Sequence, residues 1–209
     1  MDVTICVASF GGREWQQLAE SRAVPSAVEQ APVVRVHLPD GDLTDARNAA
    51  LEQVQTEWVI YLDADDELEP GYVEAMSRGT ADVRGPVARY MRGGQGRLWQ
   101  PRVHGHDHDC AADCLKDGNW LLIGSCVRTE ILAKAGGWDD FPVYEDWALW
   151  LKVWKLGATF ELIPDAIYRA HVRPDSRNRG PSTAEKNRVH HEIVAAILPD
   201  ARPRRSTGS

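Results

Sequence analysis

The feature that most limits what this chain can fold into is a short apolar run that recurs three times in its first third and each time ends in a polar turn. Val3-Thr4-Ile5-Cys6-Val7-Ala8 closes on Ser9-Phe10-Gly11-Gly12, Val33-Val34-Arg35-Val36-His37-Leu38 on Pro39-Asp40-Gly41-Asp42, and Trp58-Val59-Ile60-Tyr61-Leu62 on Asp63-Ala64-Asp65-Asp66. Runs of this length, rich in β-branched residues and bounded by turn formers, predict buried strands. Between them the sequence predicts helices: one from about Arg13, and one capped by Thr44 or Asp45 that runs through Ala46 to about Val54. Pro70 is placed to begin another. Such alternation predicts an α/β sandwich on a mostly parallel sheet, with ligands gathering beyond the carboxyl ends of the strands. The turns after Ala8, Leu38 and Leu62 then line one crevice.

The second half is less regular. From 81 to about 119 the pattern weakens, and Gly93-Gly94-Gln95-Gly96 followed by 104–114 reads as a hairpin and an irregular loop. Trp120 to Val127 reads as a strand, and Thr129 to Ala135 as a helix ended by Gly136-Gly137. Glu145 to Leu156 carries the strongest helical signal, because Trp147, Trp150, Leu151 and Trp154 share one stripe. Thr159–Ile163 and Ala166–His171 read as two short strands. Thr183 to Leu198 reads as a last helix with His190, His191 and Glu192 on its polar side, and 202–209 as a frayed tail.

Composition narrows the function classes. A chain of 209 residues, 43% of them hydrophobic, can bury a full core, so one compact domain, or one domain plus a small lobe, is expected. A formal charge of −7 argues against a general nucleic-acid binder, which needs a basic field to neutralise phosphates. No apolar stretch reaches the roughly 18 residues of a membrane span, and the start lacks the order of a signal peptide, so a cytoplasmic enzyme without membrane insertion is expected. Cys6, Cys110, Cys114 and Cys126 are unevenly spaced and suggest no disulfide framework.

Three aspartates within four residues at a strand end repel one another, a cost that a divalent cation commonly offsets. Magnesium or manganese suits oxygen ligands. Taken alone, Asp63 to Asp66 is equally compatible with a solvated acidic turn or a helix cap. Glu145 and Asp146 are likewise compatible with ordinary first-turn acids favoured by the helix dipole. The wider pattern is more specific. Ala46-Arg47-Asn48-Ala49-Ala50, then Glu57 to Asp66, Gly136-Gly137-Trp138-Asp139, Tyr144 to Lys152 and Tyr168-Arg169-Ala170-His171, taken in that order, resemble the successive blocks of family 2 glycosyltransferases over roughly residues 3 to 175.

That resemblance implies the GT-A fold: a Rossmann-like mixed sheet flanked by helices in a single domain spanning 1–201. Within it, 1–80 would form the nucleotide-sugar half, 81–175 the acceptor half and 176–201 a C-terminal helix. It also implies transfer of a sugar from a nucleotide-diphosphate donor, UDP-linked in preference, with Mn2+ or Mg2+ as cofactor. Asp63 would contact the donor's ribose or sugar and share the metal with Asp65, and Asp66 would support them. Asp146 would be the general base, with Glu145 beside it, kept ionised by the helix N-terminus.

Arg47 would either reach the diphosphate, as its planar fork binds phosphate well, or form a surface ion pair. His171 would either complete the metal or phosphate shell or be structural. Ser9, Phe10 and Arg13 after the first strand, and Asp40 or Asp42 after the second, are candidates for holding the nucleotide. Here the chain departs from the family pattern, because it passes from Asp42 to Arg47 without the family's intervening helix and strand.

A second metal candidate, His104-Gly105-His106-Asp107-His108-Asp109-Cys110 with Cys114, is rich in zinc-type ligands but matches no common zinc spacing. It reads as a polar loop or a lid over the acceptor side. Two other functions share these features: a nucleotidyltransferase, for which no Gly-rich basic phosphate loop follows the first strand, and a sugar-nucleotide-binding domain without turnover. The acceptor class (protein, glycan, modified nucleic acid or small molecule) and the oligomeric state are not encoded in any motif.

Overall fold

A computed structural model describes residues 1–101, 114–116, 118–173 and 180–198. The strands are β1 (Val3–Phe10), β2 (Val33–Leu38), β3 (Trp58–Asp63), β4 (Glu67–Leu68), β5 (Val83–Arg92), β6 (Gln95–Trp99), β7 (Cys126–Arg128) and β8 (Phe160–His171). Among the described residues the helices are α1 (Arg13–Leu18), α2 (Val24–Val28), α3 (Leu43–Leu51), α4 (Tyr72–Ser77), α5 (Thr129–Lys134), α6 (Glu145–Lys155) and α7 (Thr183–Ile197). A wider π-type turn, Ala19–Ala23, joins α1 to α2.

The strands form one mixed sheet in the order β2-β1-β3-β7-β5-β8-β4, with β6 paired to β5 outside that path. The first three strands are parallel, as the apolar runs predict, with Ala8 beside both Val36 and Asp63. β7 then turns the sheet antiparallel, pairing with β3 on one side and β5 on the other. The sheet is therefore mixed rather than mostly parallel. Because β1, β2 and β3 run the same way, the turns that follow them emerge at one end, and that end carries most of the predicted site.

Two apolar layers cover the faces. One packs α6 and α7 against Cys6, Val59, Tyr61 and Val127. The other packs α2 and α4 against Ile5, Ile60, Leu62 and Tyr168. The tryptophan stripe behaves as its spacing predicts: Trp147, Trp150 and Leu151 are fully buried and Trp154 partly so. At roughly 1.5–3 kcal/mol per large apolar side chain removed from water, α6 is the main anchor of its layer.

Three local predictions are corrected. Trp120 to Val127 is not a strand; only Cys126–Arg128 joins the sheet. Trp120 and Leu121 are buried instead beside Gly85, where an added Cβ would lie 2.7 Å from the Leu121 side chain. The two short strands predicted after Thr159 are one strand, β8, whose register against β5 steps from Ile163 to Ile167. Pro164 has no N–H to donate and sits in the unpaired segment, as expected of a proline at a bulge. Finally, α3 is capped by Asp42, whose side chain accepts from the Asp45 N–H at 2.8 Å, and not by Thr44 or Asp45.

Cys6 and Cys126 are buried free thiols. Cys114 is disulfide-bonded, which the uneven cysteine spacing did not suggest. The histidine-rich stretch from His104 and the tail 202–209 lie outside the described residues. No helix among the described residues is long and apolar enough to cross a membrane.

Candidate active site

The site is organised around a buried arginine. Arg47 lies in the middle of α3, 3% exposed, and donates to Asp63 Oδ1 at 2.8 Å through one terminal nitrogen and to Glu145 Oε1 at 3.1 Å through the other. Its guanidinium also lies 4.5 Å from the centre of the Trp138 ring. Burial by itself would lower the Arg47 pKa; the charges of Asp63 and Glu145 outweigh it and hold the pKa above its ordinary value. The prediction of a surface ion pair is thus corrected. The pair is interior, and it joins residues 98 positions apart in sequence.

The neighbouring residue completes the joint. Asn48 donates to the Trp138 carbonyl at 3.0 Å and accepts from the Trp138 N–H at 2.8 Å. Gly137 precedes that residue at φ 69°, and an added Cβ would lie 2.5 Å from Asn48 Oδ1. Only glycine fits both the conformation and the approach. The Ala-Arg-Asn and Gly-Gly-Trp blocks therefore meet through backbone and side chain together.

At the end of β3 the three aspartates have different environments. Asp66 is buried and fully engaged, accepting from Tyr168 Oη at 2.9 Å and from the His171 N–H at 2.7 Å. Tyr168 Oη also accepts from the Asp63 N–H at 3.2 Å, so one side chain of β8 fixes the turn at two points. Burial, then repulsion from Asp63 and Asp65, pushes the Asp66 pKa well above the usual carboxylate range. Asp65 is less enclosed: Arg22 donates to its carbonyl at 2.7 Å, and the Arg173 Nε lies 4.0 Å from its Oδ2. Its pKa is also raised, by burial first and by the charge of Asp63 second.

Glu145 and Asp146 open α6 at a strained point. Tyr144, which precedes them, has φ 64°, the left-handed conformation that a bulky side chain adopts at a cost of order 1–3 kcal/mol. Among the described residues it is the only non-glycine with positive φ. Asp146 accepts from the Trp147 N–H at 2.7 Å and from Asn119 Nδ2 at 2.9 Å. Burial, then the charge of Glu145, pushes its pKa up to about 6. Desolvation and the like charge of Glu145 outweigh the Trp147 N–H, Arg47 and Asn119, which favour the charged form, yet at about 6 the group is still ionised at neutral pH.

The other predicted residues are placed as follows. Ser9, at the end of β1, is buried with its Oγ 3.0 Å from His37 Nδ1 on β2. Phe10 is half-buried, and Arg13 is exposed at the start of α1 beside Gln16, Gln17 and Glu20. Asp40 is exposed in the turn after β2, and Asp42 is occupied as the α3 cap. His171 Nε2 lies 2.6 Å from Glu67 Oε2, which leaves Nδ1 as the ring nitrogen for any ligand. The structure thus joins Asp63, Arg47 and Glu145 directly, with Asp146 next to Glu145 at the start of α6 and Asp65 and Asp66 on the same turn as Asp63. Ser9, Phe10, Arg13 and Asp40 contact that group through no described side-chain hydrogen bond, whereas the His171 N–H donates to Asp66.

Three residues of the site lie outside the sequence prediction. Asn119 falls in the stretch without pattern, Trp138 is visible only as part of a Gly-Gly-Trp block, and Tyr168 only as a strand residue. No local signal marks their partners.

Residues 19–109 match the family model described as "Glycosyl transferase family 2". No curated protein matches the chain. Among solved structures, S. aureus TarS 1–349 in complex with UDP-GlcNAc superposes with a TM-score of 0.70 at 14% identity, covering 98% of this chain and 68% of that one. TarS 1–349 in complex with UDP gives 0.65 at 15% identity, covering 98% and 67%. The TarS structure titled without residue limits gives 0.61 at 18% identity, covering 97% and 41%. The chain therefore has the GT-A fold of the glycosyltransferases, with the family 2 glycosyltransferase match carried by residues 19–109.

Proposed function

We propose that this protein is an inverting glycosyltransferase that moves a sugar from a UDP-sugar to an acceptor hydroxyl or amine, with a divalent cation at the Asp63–Asp65 turn. The observation that carries this reading is the Arg47 joint. It brings the carboxylates at the end of β3 and the acid pair at the start of α6 to either side of one guanidinium. A donor at the strand ends and a proton acceptor on the far side of its sugar is the arrangement that a single in-line displacement requires. The UDP-GlcNAc and UDP named in the TarS complexes support a uridine diphosphate donor.

The residues fit a hard cation of the magnesium type. Asp63 and Asp65 offer only oxygen, and each raises the electrostatic cost of the other, which a cation would relieve. No group of three or more His, Cys, Asp or Glu side chains among the described residues is arranged to hold a metal alone. That is compatible with an ion held by one or two carboxylates and completed by substrate phosphates. When bound, such an ion neutralises charge that grows on the leaving diphosphate. Asp65 would be its main ligand, with Asp63 shared between the donor and Arg47.

Asp146 receives the acceptor's proton as the acceptor oxygen or nitrogen bonds to the anomeric carbon and the bond from that carbon to the diphosphate breaks. With its pKa near 6, Asp146 is ionised at neutral pH yet basic enough to take a proton, the range in which a general base works well. Asn119 and the Trp147 N–H fix its two oxygens. Arg47 holds Glu145 in place beside it.

The test is Asp146→Asn with UDP-sugars and a mixed acceptor pool, measuring nucleotide binding and transfer separately. Binding of UDP with loss of transfer supports the assignment; transfer equal to the parent removes it. The anomeric configuration of the product, read by proton NMR, decides inversion.

A further inference from the structure

Outside the site, the β5–β6 hairpin brings together three exposed large apolar side chains, Tyr90, Leu98 and Trp99. Its turn, Arg92-Gly93-Gly94-Gln95, has φ of 56° and 82° at the two glycines, the mirror-image turn that matches strand twist. The register places Trp99 opposite Ala88 and Arg97 opposite Tyr90, so these side chains and that of Arg92 share one face. On the other side of β5, Ala88 is paired with Tyr168 and Tyr90 with Ala170, which extends the same face across β8. Tyr168 is the residue that holds Asp66. The face thus runs without interruption from the carboxylate turn to the hairpin.

Tyr90 and Trp99 are 38% and 39% exposed, and their rings meet edge to face with centroids 6.1 Å apart, forming an open aromatic corner. The Tyr90 phenol has its pKa raised by burial and then by the charge of Asp66, which puts it within that carboxylate's field. Around this corner the sequence from Ala88 to Trp99 contains Arg89, Arg92 and Arg97 and no acid. Arg89 is engaged by Glu69 on the opposite face. Arg92 and Arg97 form no ion pair with any described residue, although the whole chain carries −7. An exposed aromatic corner flanked by two guanidiniums that pair with no described acid is complementary to a ring-shaped, hydroxylated ligand that carries negative charge.

We propose that the Tyr90–Trp99 corner with Arg92 and Arg97 is the landing surface for the acceptor, and that the acceptor is a saccharide bearing anionic groups. Aromatic rings pack the apolar faces of sugar rings, and the arginine forks take up phosphate or carboxylate oxygens. This rests on the transferase reading above, because the surface is assigned to the acceptor through its continuity with the carboxylate turn. A single-stranded nucleic acid could also stack on such a corner. The overall negative charge disfavours it, since a nucleic acid would have to approach against that field.

The experiment measures binding of wild-type protein to oligogalacturonate, a phosphorylated oligomannoside, neutral maltopentaose and a short oligothymidylate, with UDP binding followed in parallel by thermal shift. The anionic saccharides should bind and the neutral one should not, and their affinity should fall as salt rises. Trp99→Ala should weaken that binding by about tenfold and Arg97→Ser by about fivefold. Leu98→Ala, on the opposite face of the same strand, should leave it unchanged. Binding of neither anionic saccharide by a protein that still responds to UDP overturns this inference alone. Equal binding of neutral and anionic saccharides overturns the arginine role, and preferential binding of the oligothymidylate replaces the saccharide with nucleic acid. If the wild-type protein responds to no nucleotide diphosphate, the transferase reading fails instead, and saccharide binding lost in Trp99→Ala still supports a saccharide surface.

Discussion

The two acidic regions of this protein are built on opposite principles. The Asp63–Asp66 turn is tied down: Tyr168 bridges Asp66 and the Asp63 backbone, the His171 N–H holds the second Asp66 oxygen, and Arg22 grips the Asp65 carbonyl. Glu145 and Asp146 instead follow a strained residue, with Arg47 donating to Glu145, and Asn119 and the Trp147 N–H donating to Asp146. Yet burial raises the pKa of a carboxylate in each, Asp66 in one and Asp146 in the other. The lesson is that a raised pKa does not by itself mark a working acid. Asp66 is held at both oxygens by one strand, β8, whereas Asp146, held by Asn119 and the Trp147 N–H, is the group proposed above to take the acceptor's proton.

The sharpest way to break this comparison is to remove charge from each side. Asp146→Asn should lower kcat/KM by about 10² to 10⁴ while UDP affinity stays within about twofold of the parent. A comparable loss of UDP affinity would show that Asp146 belongs to the donor side. Arg47→Met removes the link itself and leaves two carboxylates without their partner, so it should cost about 3–5 kcal/mol in urea unfolding and abolish transfer. A loss below about 1 kcal/mol would mean that the joint is not what holds the two regions together.

The next effect separates the regions by what each variant moves. Tyr168→Phe leaves Asp66 short of a donor and should destabilise the fold by about 1–3 kcal/mol, and the pH midpoint of transfer should stay where it is. Asn119→Ala should do the reverse. Activity of the parent should rise through pH about 6 as Asp146 ionises, and removing the Asn119 donation, which favours the ionised form, should move that midpoint upward. A midpoint that moves in Tyr168→Phe and not in Asn119→Ala would invert the assignment.

The smallest effect is on stability. The folded state binds the Asp146 proton more tightly than the unfolded chain, so the ionised group opposes folding above pH about 6, and that penalty is relieved as pH falls toward the ordinary carboxylate range. Asp146→Asn should therefore be more stable than the parent at pH 8 by about 0.5–2 kcal/mol, and the difference should shrink toward pH 4. Thermal melts at the two pH values decide it.

Much of this was legible in the sequence because it is written locally. The β-branched runs of β1 and β3 and the tryptophan stripe of α6 state their own burial, and the Gly93-Gly94 turn states its own hairpin. Trp120 to Val127 misleads because an apolar run reads the same whether it pairs in a sheet or, as Trp120 and Leu121 do, fills space beside Gly85. The acids of the site were legible through their order along the chain. Their environments were not, because those depend on partners far away in sequence: Tyr168 is 102 residues from Asp66 and Arg47 is 98 from Glu145. Neither the interior position of Arg47 nor the elevated pKa of Asp146 has a signature in its own neighbourhood.

The left-handed backbone at Tyr144 has a practical corollary. Glycine would occupy that conformation freely, so Tyr144→Gly removes a steric penalty while also releasing the aromatic ring that sits 6.4 Å from Trp147. An engineer seeking heat tolerance would find this position inviting. The same change would let the first turn of the helix wander, and with it the direction in which the Asp146 carboxylate points, so on the reading proposed above a hardier protein would be a poorer marksman.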